Sequence, residues 1–178
     1  MMITVRTFVL SAVAAACSST LLLTSPAGAA PRVKPRVVSF TPDSYVRVET
    51  VVTKSKERKY YVMSPDKPIE FSLSGPTTVN ISTRLLFSVD MKGEQRYTIS
   101  VTQDTLLGHA QEVAAMTFTA SKSPVSILGT GSRLVPGEGK RLKLTVPSGR
   151  HAYRIHLSGT SAQEAAVRIM VPRKAIRP

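Results

Sequence analysis

Several residue types are scarce or missing, and each gap excludes a chemistry. The 178-residue chain has one cysteine, Cys17, no tryptophan, and three histidines, His109, His151 and His156. A lone thiol forms no intramolecular disulfide and no cysteine-based zinc site. Without tryptophan, and with Tyr60 and Tyr61 on opposite faces of any strand they share, aromatic platforms for neutral sugars are few. The histidines make no HxH or HExxH pattern, and the odd spacing of His151 and His156 puts them on opposite sides of one strand, which disfavours a shared metal site. Acidic residues number eleven against twenty-four lysines and arginines, and they stand singly along the chain. No GxSxG motif activates a serine, and no carboxylate pair is visible for acid–base work, so the expectation is a protein that is not an enzyme and uses no cofactor.

Charge is also missing between Thr7 and Ala30. Arg6 precedes this stretch, Phe8–Ala16 is an apolar run, and Ala27-Gly28-Ala29 fits a small-x-small cleavage site, the order of an export signal. Cleavage after Ala29 would remove Cys17 and leave 149 residues with a net charge of +12, one less than the full chain's +13 because Arg6 is lost. The expected location is therefore periplasmic or secreted. Two alternatives stand beside it. The uncharged stretch is long enough to span a bilayer, although Ser18, Ser19, Thr20, Thr24, Ser25 and Pro26 dilute it. Ala14-Ala15-Ala16-Cys17 loosely resembles a lipobox, which would make Cys17 the site of lipidation and the chain a membrane-anchored lipoprotein.

What is abundant is period-two alternation. Val79, Ile81, Thr83, Leu85, Phe87 and Val89 would share one face of a strand, and Asn80, Ser82, Arg84, Leu86, Ser88 and Asp90 the other. Tyr97-Ile99-Val101, Leu142-Leu144-Val146, Tyr153-Ile155-Leu157 and Val167-Ile169-Val171 repeat the pattern. Asp90–Glu94 is expected to close a hairpin, and Pro147-Ser148-Gly149 to separate two strands. Gly108–Thr119 is compatible with helix or strand, and the strand-like MTFTAS favours strand. The fold class that follows is all-β, a single antiparallel β-sandwich of about nine or ten strands, with a small β-barrel as the alternative. The segments are read as 1–29 export signal, 30–43 basic Pro-rich leader, 44–171 β-sandwich and 172–178 basic C-terminal tail.

An ungapped shift of 84 positions lays residues 60–75 on 144–159, matching Val62 to Val146, Phe71 to Ile155 and Gly75 to Gly159, as a duplicated hairpin would. Tyr60 to Gly159, with its alternating strands and the Pro147-Ser148-Gly149-Arg150-His151-Ala152-Tyr153 turn before an aromatic strand, resembles secreted bacterial β-sandwich modules of the pre-peptidase C-terminal kind. The resemblance implies the fold and carries over no functional residue.

The excess of cations predicts attraction to polyanions. Arg84, Arg96, Arg141, Lys143, Arg154 and Arg168 all occupy polar positions of expected strands, and if those strands are neighbours they form a basic sheet face. Arginine suits such a face because its planar fork grips carboxylate, sulfate or phosphate with two hydrogen bonds. Lys54, Lys56, Arg58 and Lys59 add a basic run. Outside the cytoplasm the partners would be an acidic polysaccharide, lipopolysaccharide or an anionic membrane surface. Specific nucleic-acid binding is not expected, because no reading motif is present. The competing reading is a structural protein that docks onto an envelope protein partner, with solvated cations that merely guard strand faces. A hydrolase is a distant third.

Overall fold

The computed structural model describes residues 36–105, 109–129 and 131–176. The expected export signal, residues 1–29 with Cys17, lies outside them.

Ten strands follow in chain order: β1 Val37–Phe40, β2 Arg47–Thr53, β3 Lys56–Met63, β4 Ile69–Phe87, β5 Gln95–Asp104, β6 Ala110–Ala120, β7 Ser126–Leu128, β8 Val135–Pro136, β9 Lys140–Ser158 and β10 Glu164–Pro172. A short 3-10 turn, Arg173–Ile176, ends the described chain. Every pairing is antiparallel, and the order β6-β5-β9-β4-β10-β3-β2-β7 makes one open sheet, with β1 added to β10 and β8 to the end of β4. The sheet does not close, so the barrel alternative falls. Of the stretch Gly108–Thr119, whose first residue lies outside the described residues, Ala110 onward is strand, as β6.

Two layers arise because β4 and β9, nineteen residues each, bend together. Ile69–Gly75 of β4 pairs with Gly149–Ile155 of β9, and Thr77–Thr83 pairs with Lys140–Val146. Between these runs β4 spends one residue, Pro76, where β9 spends two, Pro147 and Ser148. The unequal count is a bulge, and bulges turn a sheet sharply. β5 and β6 extend the layer on one side of the bend, while β10, β3, β2 and β7 extend the layer on the other.

The core lies between the layers. Phe71, Tyr97, Ile99, Tyr153 and Ile155 come from the first, and Val79, Ile81, Leu85, Phe87, Val167 and Ile169 from the second. Phe71 stacks on Tyr153 with ring centroids 5.4 Å apart. The Thr83 and Tyr97 hydroxyls meet at 3.1 Å between β4 and β5, strands that do not pair. Val79, Ile81, Thr83, Leu85 and Phe87 are all completely buried, as their alternation requires. Burying each large apolar side chain contributes roughly 1.5–3 kcal/mol. A one-residue slip would replace that set with Asn80, Ser82 and Arg84, so the register is firmly fixed.

Three expectations give way. Pro147-Ser148-Gly149 does not separate two strands: the ladder runs through it, and it forms the bulge of β9. Asp90–Glu94 closes no hairpin, because β4 ends in one layer and β5 begins in the other. The proposed duplication dissolves, since residues 60–75 are divided between β3 and β4, strands separated by β10, whereas 144–158 lie within β9 alone. Beyond β10, Arg173–Ile176 forms the 3-10 turn and Arg173 donates its backbone N–H to the Arg36 carbonyl at 2.9 Å.

Candidate functional site

Cross-strand partners in an antiparallel ladder point to the same face. Arg141 of β9 pairs with Ser82 of β4, and Ser82 pairs with Arg168 of β10. One level along, Lys143 pairs with Asn80, and Asn80 with Met170. These rows lie on the outer face of the second layer, opposite the core-facing Ile81, Leu142, Leu144 and Ile169. The strand spacings put the Cα atoms of Arg141 and Arg168 about 10 Å apart and those of Arg141 and Lys143 about 7 Å apart. Arg141 and Lys143 are exposed, and Arg168 is half-buried. Among the described residues none of the three forms an ion pair, and the buried Nε of Arg168 has no hydrogen-bond partner. Ser82 and Asn80 lie between them as hydrogen-bonding groups, and no carboxylate interrupts either row.

The other three cations named from the sequence lie elsewhere. Arg84 follows the same alternation as Ser82 but is buried, because that end of the outer face is covered. Val51, Tyr60, Val62, Leu86, Leu128 and Ala166 form a second apolar cluster there, with Leu134 packed against it. Arg84 donates from Nη1 to the Gly137 carbonyl at 2.6 Å, and a side chain at Gly139 would press on its guanidinium at 3.4 Å. Arg84 is thus a buried clamp on the segment that precedes β9. Arg154 is in the first layer and is engaged, with Nε 3.0 Å from Glu70 and Nη1 2.8 Å from Asp104. Arg96 is exposed on β5 of the first layer, across from Thr119. Neither tyrosine of the Tyr60-Tyr61 pair offers a platform, since the two are 4% and 7% exposed, one in each apolar cluster.

The basic run Lys54–Lys59 forms the tip of the β2–β3 hairpin. Lys54 and Ser55 take φ values of 44° and 63°, the two positive angles of a tight hairpin turn. Lys54, Lys56, Arg58 and Lys59 are all side-chain exposed or nearly so, with Glu57 the single acid among them.

One charged cluster left no trace in the sequence. Arg47 donates Nη1 and Nη2 to the two oxygens of Glu164, the latter at 2.7 Å, and Nε to Glu49 at 2.9 Å. Glu164 is 117 residues away, so no local spacing could reveal it. The hydrogen bonds to Glu164 hold the Arg47 guanidinium even more firmly charged than usual, against the opposing effect of burial. Arg47 and Glu164 line a cavity of about 650 Å³ with an apolar floor of Leu86, Met91 and Leu134 and with Asp90 at its rim. The Ser88 hydroxyl holds the Asp90 carboxyl below its ordinary range. The histidines do not converge. His151 Nδ1 is 3.0 Å from the Gln103 amide nitrogen and its Nε2 is 3.0 Å from the Ser148 carbonyl, while His156 reaches Thr102 at 3.2 Å on the other side of β9.

No protein-family model and no curated protein matches the chain. Among solved structures, the K1 cleaved adhesin domain of Lys-gingipain from Porphyromonas gingivalis W83 aligns over 76% of this chain and 97% of that domain, with 8% identity and a TM-score of 0.39.

Proposed function

We propose that this chain is an exported, non-enzymatic binding module that engages an anionic polymer through the outer face of its second layer. The observation that supports this is the strip Arg141, Lys143 and Arg168: three cations free of ion pairs on one face, spaced by Ser82 and Asn80. A repeating carboxylate or sulfate along an acidic polysaccharide meets such a strip with successive charge-assisted hydrogen bonds. The carboxylates that do come together argue against hydrolysis. Glu49 and Glu164 share Arg47, and Glu70 and Asp104 share Arg154. A general acid needs a carboxyl whose pKa is raised, and Asp90, the other carboxyl at the cavity, is shifted downward.

The test is retention on an immobilised acidic polysaccharide as a function of salt. Replacing Arg141, Lys143 and Arg168 together by glutamine should reduce the slope of log affinity against log salt by roughly one per cation removed, the counterion-release expectation for a linear polyanion. Arg84→Met should leave that slope unchanged, because Arg84 is buried. Salt-independent retention, or an unchanged slope in the triple variant, refutes the proposal. Soluble polysaccharide, lipopolysaccharide and anionic vesicles, compared as competitors, distinguish the sources of the anion. Export itself is checked by intact mass: a start at Ala30 supports release by cleavage, and an acylated Cys17 replaces it with the lipoprotein form.

A further inference from the structure

The sheet has two ends, and they differ. β7 is three residues long, and short edges resist pairing. β6 is eleven residues long, pairs only with β5, and has no described strand on its outer edge. Natural edges of this length are guarded by lysine, proline or inward-pointing charge. β6 contains no proline, no glycine and one charged residue, Glu112, in a chain that is 20% charged. Its bulge lies at Val113, where the register slips between Val101 and Thr102 of β5, so Ala114–Ala120 is a regular uncharged run of seven residues.

That run is self-complementary. We propose that β6 pairs antiparallel with β6 of a second copy about a two-fold axis at Thr117, joining two sheets into one. In this register Thr117 meets its own copy on the outer face. On the core side Met116 meets Phe118 of the other copy, and the reverse, which covers a methionine that is 44% exposed and an aromatic ring that only partly reaches the core. A sulfur–aromatic contact of this kind is favourable. Elsewhere two copies of a chain with a net charge of +13 repel; this edge, uncharged from Val113 to Ala120, is where they can approach. A ladder of seven residues is about 24 Å long and roughly 500 Å² in area over both partners, well below a stable interface, so the dimer is weak, with Kd on the order of 100 μM. The inference does not depend on polymer binding.

Sedimentation velocity tests it. Between about 1 and about 500 μM, wild-type chain should move from monomer to dimer, and Thr117→Lys, which sets two like charges face to face, should stay monomeric. With Cys17→Ser as background, Thr117→Cys should cross-link on oxidation much faster than Ser100→Cys, a control on the same outer face but on the interior strand β5. Amide exchange at 110–120 should slow as wild-type concentration rises, and this readout needs no variant. A monomer at every concentration, equal dimerisation of Thr117→Lys, or equal cross-linking at positions 117 and 100 overturns the proposal.

Discussion

Gly75 is the position on which the two-layer form of this sheet rests. A Cβ built there would stand 1.8 Å from the Pro147 carbonyl oxygen and 2.6 Å from that of Val146, both backbone atoms that no rotamer change can move. In Gly75→Ala, β4 and β9 must part by about 1.6 Å to restore ordinary contact near 3.4 Å. That displacement breaks the ladder on either side of the bulge. Losing about two hydrogen bonds at roughly 1 kcal/mol each, plus an overpacking strain of about 1–3 kcal/mol, gives about 3–5 kcal/mol in total. Domains of this kind have a net stability of about 5–15 kcal/mol, so the variant should fold but with much of its margin gone. In urea, with a slope of about 2 kcal/mol per M, the unfolding midpoint should fall by about 1.5–2.5 M. Gly129→Ala is the matched control: its Cβ would meet Thr50 at an ordinary 3.5 Å, and the midpoint should stay within about 0.3 M. A Gly75→Ala midpoint within that same margin would refute the account of the bend.

Two further outcomes follow from the charged and polar groups. Burial raises the Tyr97 phenol above its ordinary value of 10.0, against the lowering effect of its hydrogen bond with Thr83. The folded state therefore keeps the proton longer than the unfolded chain. This contribution is fully present below about pH 10 and is lost as pH climbs through the folded value. Urea midpoints measured from pH 8 to pH 12 should show an alkaline decline that is shallower in Tyr97→Phe, while the variant loses about 1 kcal/mol at neutral pH for the hydrogen bond. The two arginine clamps should differ in strength. Arg47→Met removes two hydrogen bonds to Glu164, whose side chain is 20% exposed, and should cost about 2 kcal/mol, whereas Arg154→Met, whose partners Glu70 and Asp104 are 46% and 36% exposed, should cost less than about 1 kcal/mol by the same denaturation assay.

The alternation of Val79–Phe87 and of Tyr97–Val101 was legible because each strand face states its own burial within ten residues. So was the strand character of β6, where β-branched and aromatic residues gather in Thr117-Phe118-Thr119. The same rule misplaced Arg84. It assigns the outer face of a strand to solvent, and here Leu86, Val62 and Leu128 bring a second apolar cluster onto that face. It also misread Pro147–Gly149, because a proline-glycine bulge and a proline-glycine turn have the same local chemistry. What distinguishes them is whether the partner strand bends too, and Gly75, more than seventy residues away, supplies that partner. Of the six candidate cations, the sequence could name the arginines and lysines but not their neighbours. Arg154 is occupied because Glu70 and Asp104 lie on flanking strands, and Arg96 stands in the other layer.

The sequence alone determined the all-β class, the approximate strand count, the excess of positive charge and the absence of tryptophan and of any cysteine beyond Cys17. Those properties are local or compositional, and need no knowledge of which strands are neighbours. Tertiary structure decided everything that depends on neighbours: the bend shared by β4 and β9, the Arg47–Glu164 clamp, and the reduction of six cations to the strip Arg141, Lys143 and Arg168. Strand pairing joins residues tens of positions apart, and only the folded sheet sets which charges stand free and which are already held.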